Sequence, residues 1–193
     1  MAYEIILIGA SAGGMDALRV LLSGLEKDFA LPLVVVQHIS AHSDNYLITY
    51  LNSYSQLEVK EAEDKEKLLD GVVYICPPNY HLLIEEDKTL SLGAFEKVNF
   101  SRPSIDVLFE TGALALKKSI IGVLLTGASR DGTYGMGMIH SFGGMTVVQD
   151  PDTAYVPNMP RAAINATPID YVLPLNDISG FLNTLSRAQI KKG

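Results

Sequence analysis

The chain has 193 residues, 48% of them hydrophobic and 19% charged, a balance that fits one globular domain over 1–193 and excludes the sparse-core, high-charge class of disordered chains. Its formal net charge of −7, without a Lys/Arg cluster, argues against nucleic acid or an anionic membrane surface as partner, and no apolar run reaches the roughly 18–20 residues that span a bilayer. The opening Met1-Ala2-Tyr3-Glu4 carries no basic leader, and the single cysteine, Cys76, excludes an internal disulfide, so a cytoplasmic chain with no membrane insertion is expected.

The first predicted element is an apolar strand over residues 3–8, followed by the glycine-rich turn Gly9-Ala10-Ser11-Ala12-Gly13-Gly14 and a helix whose Leu18, Leu21, Leu22 and Leu25 recur at helical spacing. Leu33–Gln37 reads as a second strand, apolar on both faces. Between Leu57 and Phe100 the helical period fades. Short extended pieces at 57–61, 72–75, 81–85 and 90–92, with Glu86-Asp87-Lys88 as a hairpin turn, predict an antiparallel β insertion at one edge of the sheet. The mixed charges from Glu58 to Asp70 read as solvated surface. Behind Ser104, a candidate N-cap, Ile105, Leu108, Phe109 and Ala113 mark another helix. Strands at 120–126 and 145–149, a last strand at 171–174 and a closing helix at 178–188 complete the pattern. Alternating strands and helices predict an α/β fold: a doubly wound, mostly parallel sheet in a Rossmann-like three-layer arrangement with right-handed crossovers.

The glycine turn admits two readings. A dinucleotide site needs Gly-x-Gly-x-x-Gly and an acid at the end of the second strand, but here the third loop position is Ser11 and the second strand ends in Gln37-His38. A P-loop needs a Lys-Ser/Thr pair after the glycines, and none follows. Gly9-x-Ser11-x-Gly13 fits instead a serine on a sharp strand-to-helix turn. His38 ends the second strand at the same sheet edge, and Thr126-Gly127-Ala128-Ser129-Arg130-Asp131-Gly132 brings a carboxylate to the end of the strand at 120–126. Each has a bland alternative: close packing for the loop, a satisfied histidine, an N-cap aspartate. Together they supply a nucleophile, a base and a carboxylate that orients the base. The order Ser11, His38, Asp131 differs from the serine, acid, histidine order of α/β-hydrolases.

At these residues the chain resembles the catalytic domain of the CheB-type chemotaxis methylesterases. The resemblance rests on "IGASAGG", "VVVQHIS", "VYICPPNYHLLIE", "VNFSRPSIDVLFE", "GVLLTGASRDGTYGM" and "MPRAAI", in that order over almost the whole chain. It implies a protein-glutamate methylesterase/glutaminase with Ser11 as nucleophile, His38 as general base and then acid, and Asp131 as its orienting partner. The implied partner is a methylated chemoreceptor, and no metal or cofactor is required. Backbone amides of Ala12, Gly13 and Ala128 are the expected oxyanion hole, and Arg102 and Ser104 the expected substrate rim. Relatives often carry threonine where Ala12 stands and methionine where Ala128 stands, and many carry an N-terminal receiver domain not expected here, so phosphorylation in cis is not expected.

Other polar residues carry less. His38-x-x-x-His42 has the spacing of a zinc helix, but the glutamate of His-Glu-x-x-His is missing, and no metal is expected. His81 and His140 read as surface or packing residues, Cys76 as buried packing, and Met136, Met138 and Met159 as core or rim packing. The rival functional readings are a catalytically weak receptor-binding module of the same fold and a nucleotide- or phosphate-binding loop.

Overall fold

A computed structural model describes residues 3–39 and 46–190. In chain order its elements are β1 (Ile5–Ala10), α1 (Gly14–Ser23), β2 (Leu33–Gln37), α2 (Tyr46–Asn52), β3 (Glu58–Glu61), β4 (Val72–Ile75), β5 (His81–Ile84), β6 (Leu90–Gly93), α3 (Ile105–Leu116), β7 (Ile120–Leu124), α4 (Thr133–Ser141), β8 (Met145–Gln149), α5 (Asn158–Ala166), β9 (Tyr171–Leu173) and α6 (Leu175–Ile190).

All six residues of β1 are buried, so this strand needs cover on both faces. It receives that cover at the centre of a seven-stranded sheet of order β3-β4-β2-β1-β7-β8-β9, in which every pairing is parallel. Successive β1 side chains feed opposite layers, as the two-residue period requires. Ile6 and Ile8 pack with Leu18, Leu21 and Leu22 of α1, Leu51 of α2 and Ile178 and Leu182 of α6. Ile5 and Leu7 pack with Leu108 and Phe109 of α3, Ile139 of α4 and Ala163 of α5. The result is the expected doubly wound, three-layer α/β fold.

The chain winds outward from β1 to one sheet edge, returns to β7 on the other flank and then runs to the opposite edge. Ligands of open α/β sheets collect beyond the strand carboxyl ends where this reversal occurs. Here the adjoining ends belong to β2, β1 and β7.

The segment 57–100 corrects part of the sequence reading. Two of its extended pieces are β3 and β4, parallel strands of the main sheet, and only β5 and β6 form an antiparallel hairpin. Val59 and Val73 are buried in one core layer, while Leu82, Ile84 and Leu90 of the hairpin belong to the other, against α3. The crossover between β3 and β4 contains no helix, so the periodicity that marks a parallel unit is missing there. The predicted turn is present: the Lys88 N–H donates to Glu85 O at 3.0 Å and the Thr89 N–H to Asp87 Oδ1 at 3.1 Å. Among the described residues no helix is long and apolar enough to cross a membrane.

Candidate active site

Ser11 is the first residue beyond β1, and its backbone is tied to both neighbouring strands. Its N–H donates to Thr126 O at 3.0 Å, and its carbonyl accepts from the Gly14 N–H at 2.7 Å and from Gln37 Nε2 at 2.9 Å. Thr126 Oγ1 donates to Ala12 O at 2.9 Å, so the next peptide is held as well. Gly13 takes φ 76°, a left-handed conformation that glycine adopts without steric cost, and a Cβ there would stand 2.6 Å from Tyr155 Cβ. Gly127, beyond β7, passes so close that its Cβ would lie 2.9 Å from Ser11 Cβ and 2.7 Å from Met159 Sδ. The glycines on both sides therefore let two loops and α5 converge on one hydroxyl.

His38 leaves β2 with its N–H on Ala10 O at 3.0 Å. Its Nδ1 lies 3.1 Å from Ser11 Oγ and its Nε2 lies 2.8 Å from Asp131 Oδ2. Because an ionised carboxylate only accepts, Nε2 carries the proton and the Nδ1 lone pair faces the serine hydroxyl. This is the tautomer that can take a proton from Ser11.

Asp131 has no exposed side-chain surface. Besides His38, four donors converge on its carboxylate: the Ile105 N–H on Oδ2 at 2.7 Å, and Ser104 Oγ at 2.9 Å, the Asp106 N–H at 3.1 Å and Asn99 Nδ2 at 3.4 Å on Oδ1. Burial pushes its pKa up, but the hydrogen bonds from His38 and from the Ile105 and Asp106 amides, with the His38 charge, outweigh burial and hold it below the ordinary carboxylate value. The simple N-cap alternative for Asp131 meets a different fact. Gly132 occupies the N-cap position of α4, whereas Asp131 caps α3, a helix it does not precede, by accepting its first two amides.

Ser104 holds the N-cap position of α3 as predicted, yet its hydroxyl makes no capping bond and donates to Asp131 instead. It is fully buried, which removes it from the expected substrate rim and makes it a support for the acid. Arg102 is half-buried, with Nη1 donating to Ala94 O at 3.0 Å and Phe95 O at 2.8 Å, so the same group that was expected at the rim fastens the β5–β6 hairpin region to the start of α3. Asp106 is a second buried carboxylate beside the first, bonded by the Gly135 N–H at 2.8 Å and Asn99 Nδ2 at 2.7 Å. Burial, with repulsion from Asp131, pushes its pKa up to about 6 against those hydrogen bonds.

The remaining expectations divide. No acceptor among the described residues engages the Ala12, Gly13 or Ala128 amides, which line the two loops on either side of Ser11. His81 is fully buried, stacks on Phe95 with ring centroids 4.3 Å apart and bonds Glu96 O at 3.0 Å; burial pushes its pKa down. Cys76 is buried, and burial pushes its thiol pKa far up, a packing thiol rather than a nucleophile. Met136 and Met159 are buried in the core layer that contains α3. His42 lies outside the described residues, and among those described no group of His, Cys, Asp and Glu could hold a metal ion. A cavity of about 780 Å³ adjoins the acid and is bounded by Asn99, Asp106, Asp131 and Tyr134, but Ser11 and His38 do not line it.

Gln37, Thr126 and Asn99 were missed by sequence reasoning. The first two sit at strand ends next to flagged residues, and a polar residue closing an otherwise apolar strand at the sheet's ligand edge is the signal that could have found them.

The comparisons with known proteins concern the family and the fold. The model of the family described as CheB methylesterase matches residues 6–182. A Leptospira interrogans protein, named provisionally as a protein-glutamate methylesterase/protein-glutamine glutaminase, is 50% identical over 192 residues that cover all of both chains. The Archaeoglobus fulgidus protein-glutamate methylesterase/protein-glutamine glutaminase is 38% identical over 177 residues, 90% of this chain and 51% of that one. The solved Thermotoga maritima CheB methylesterase catalytic domain superposes with a TM-score of 0.91 at 36% identity, covering 96% of this chain and 100% of that domain.

Proposed function

Because the chain belongs to the CheB methylesterase family, we propose that it hydrolyses γ-glutamyl methyl esters on methylated chemoreceptors to glutamate and methanol, and receptor glutamines to glutamate and ammonia, by acyl transfer through Ser11. The observation that carries this reading is the continuous relay of 3.1 Å from Ser11 Oγ to His38 Nδ1 and 2.8 Å from His38 Nε2 to Asp131 Oδ2. Ser11 Oγ attacks the side-chain carbonyl carbon while His38 Nδ1 takes its proton, and the resulting imidazolium is stabilised by Asp131. The oxyanion is received by the Ala12, Gly13 and Ala128 amides, donors that do not depend on the side chains at those positions. Collapse of the tetrahedral intermediate expels methanol, or ammonia from a glutamine, with the proton returned from Nδ1. Water, deprotonated by the same nitrogen, then attacks the acyl-serine and releases the free carboxylate and Ser11.

The test is methanol release from methylated receptor membranes by the purified protein and by Ser11→Ala. Ser11→Ala abolishes release while melting as the unaltered protein does, since its hydroxyl contacts only His38 among the described residues. Release that survives the substitution removes Ser11 as nucleophile, and no release from either protein favours a receptor-binding module.

A further inference from the structure

The chain's five arginines fall into two groups. Arg19 pairs with Asp16, Arg187 pairs with Glu26, and Arg102 donates to the Ala94 and Phe95 carbonyls. Arg130 and Arg161 are exposed, and neither guanidinium finds an acceptor among the described residues. These two line a single groove of about 550 Å³, together with Asn158, Ala162, Asn165 and Ala166.

The groove abuts the reaction centre. Arg130 immediately precedes Asp131. Arg161 lies on α5, whose Met159 N–H donates to Gly127 O at 2.9 Å, and Gly127 is the residue packed between Met159 and Ser11. One groove wall is therefore continuous with the loop that faces the nucleophile. Arg130 and Arg161 thus bring two positive charges to one groove of a chain whose net charge is −7, with no acidic partner among the described residues. Two guanidiniums lining one groove, neither with an acceptor among the described residues, present forked donors suited to a carboxylate.

Resting on the esterase reading above, we propose that Arg130 and Arg161 are specificity-determining residues that bind an unmodified acidic side chain of the substrate helix while a neighbouring ester enters the site. On an α-helix the residues three and four positions from the ester share its face, about 5–6 Å away, so an acidic side chain there is carried to the vicinity of the site when the ester enters it. The groove thus selects esters set in an acidic helix over the same ester in a neutral one. Salt weakens this selection, because the arginines are solvent-exposed.

The experiment uses two versions of a methylated chemoreceptor cytoplasmic fragment, with glutamate or with alanine three and four residues on either side of one ester. The wild-type enzyme shows kcat/KM about three- to tenfold higher on the glutamate version at low salt, carried by KM, and the preference shrinks at about 0.5 M salt. Arg161→Gln and Arg130→Gln each lose most of the preference, whereas Arg161→Lys keeps part of it. Equal efficiency of the wild-type enzyme on both fragments, or an unchanged preference in both Gln variants, overturns the assignment and leaves the esterase reading intact. If wild-type enzyme releases no more methanol than Ser11→Ala from either fragment, the esterase reading fails and this inference falls with it.

Discussion

Asp131→Asn tests whether the acid serves folding and the proposed catalysis through the same hydrogen bonds. Every polar contact to the carboxylate comes from a donor: His38 Nε2, the Ile105 and Asp106 amides, Ser104 Oγ and Asn99 Nδ2. An amide has only one accepting atom, so its NH₂ must face donors in either orientation. If the NH₂ takes the Oδ2 position, the Ile105 N–H loses its acceptor and His38 must present Nε2 as a lone pair, which puts the ring proton on Nδ1, toward Ser11. If it takes the Oδ1 position, Ser104 can turn its hydroxyl to accept, but the Asp106 N–H cannot. One or two buried donors left unsatisfied, at about 1–3 kcal/mol each, together with loss of the α3 cap charge, give roughly 2–5 kcal/mol of destabilisation. For a chain of this size that lowers Tm by about 5–15 °C. The first orientation keeps four of the five contacts and the second three, so the first is favoured, and its altered tautomer lowers kcat by about 10⁴, as amidation of a triad acid does elsewhere. Urea unfolding and thermal melting measure the first effect, and methanol release by the folded fraction measures the second. A variant with native Tm, or one that keeps more than about a tenth of wild-type kcat, refutes the argument that the two roles share one carboxylate.

Three smaller predictions follow from the same network. Ser104→Ala removes a buried hydroxyl from a charged acceptor and costs about 1.5–3 kcal/mol in urea unfolding, while kcat falls by less than about tenfold because two amides still hold Asp131; native stability would contradict its buried contact at 2.9 Å. Gly13→Ala combines a left-handed backbone with a Cβ that meets Tyr155, so it costs about 1–2 kcal/mol from backbone strain alone and lowers kcat by displacing the Ser11 loop; unchanged values of both would refute the tight contact. Asp106, raised to about 6 in the fold from 3.8, binds its proton more tightly folded than unfolded, so its contribution favours the fold at pH 4 and is lost as pH rises through 6, by roughly 2–3 kcal/mol. Asp131 has the opposite sign, with stability present above its unfolded pKa and lost as pH falls through its lowered folded value. Asp106→Asn therefore loses less stability than the wild type between pH 4 and pH 7, and a larger loss in the variant would reverse the assignment.

Sequence reading reached the fold from local patterns, and brought the three residues of the relay together from their shared sheet edge and the family resemblance. The strands carry unbroken apolar runs, Ser11 and His38 stand just past the ends of β1 and β2, and Asp131 lies in the glycine-rich loop after β7. Local rules failed where the deciding contact is tertiary. Ser104 looked like a helix cap because it precedes an amphipathic segment, yet its hydroxyl is committed to a residue 27 positions away. α2 is absent from the sequence reading, although Tyr46, Tyr50 and Tyr54 recur at helical spacing, the first pair stacked at 5.9 Å and the second edge-to-face at 5.2 Å. β3 and β4 were assigned to the antiparallel insertion because their crossover lacks the helical period that ordinarily marks a parallel pair.

The strand order also accounts for the direction in which the histidine is used. In the familiar serine-protease arrangement Nε2 faces the serine and Nδ1 the acid, whereas here Nδ1 faces Ser11 and Nε2 faces Asp131. β1, which carries the serine, lies between β2 and β7, so the histidine on β2 has its nucleophile one strand away and its acid beyond the second strand. Neighbouring strands are about 4.8 Å apart, which puts the acid's strand roughly 10 Å from the histidine's. The nitrogen nearer the backbone meets the adjacent strand's serine, and the distal nitrogen alone extends toward the far loop. Asp131 completes the span by projecting back from beyond β7, fixed by the first amides of α3 rather than by its own helix. A sheet that inserts the nucleophile strand between those of base and acid thus favours the proximal nitrogen for the serine and the distal one for the acid, and here the first amides of α3 hold that acid at full reach.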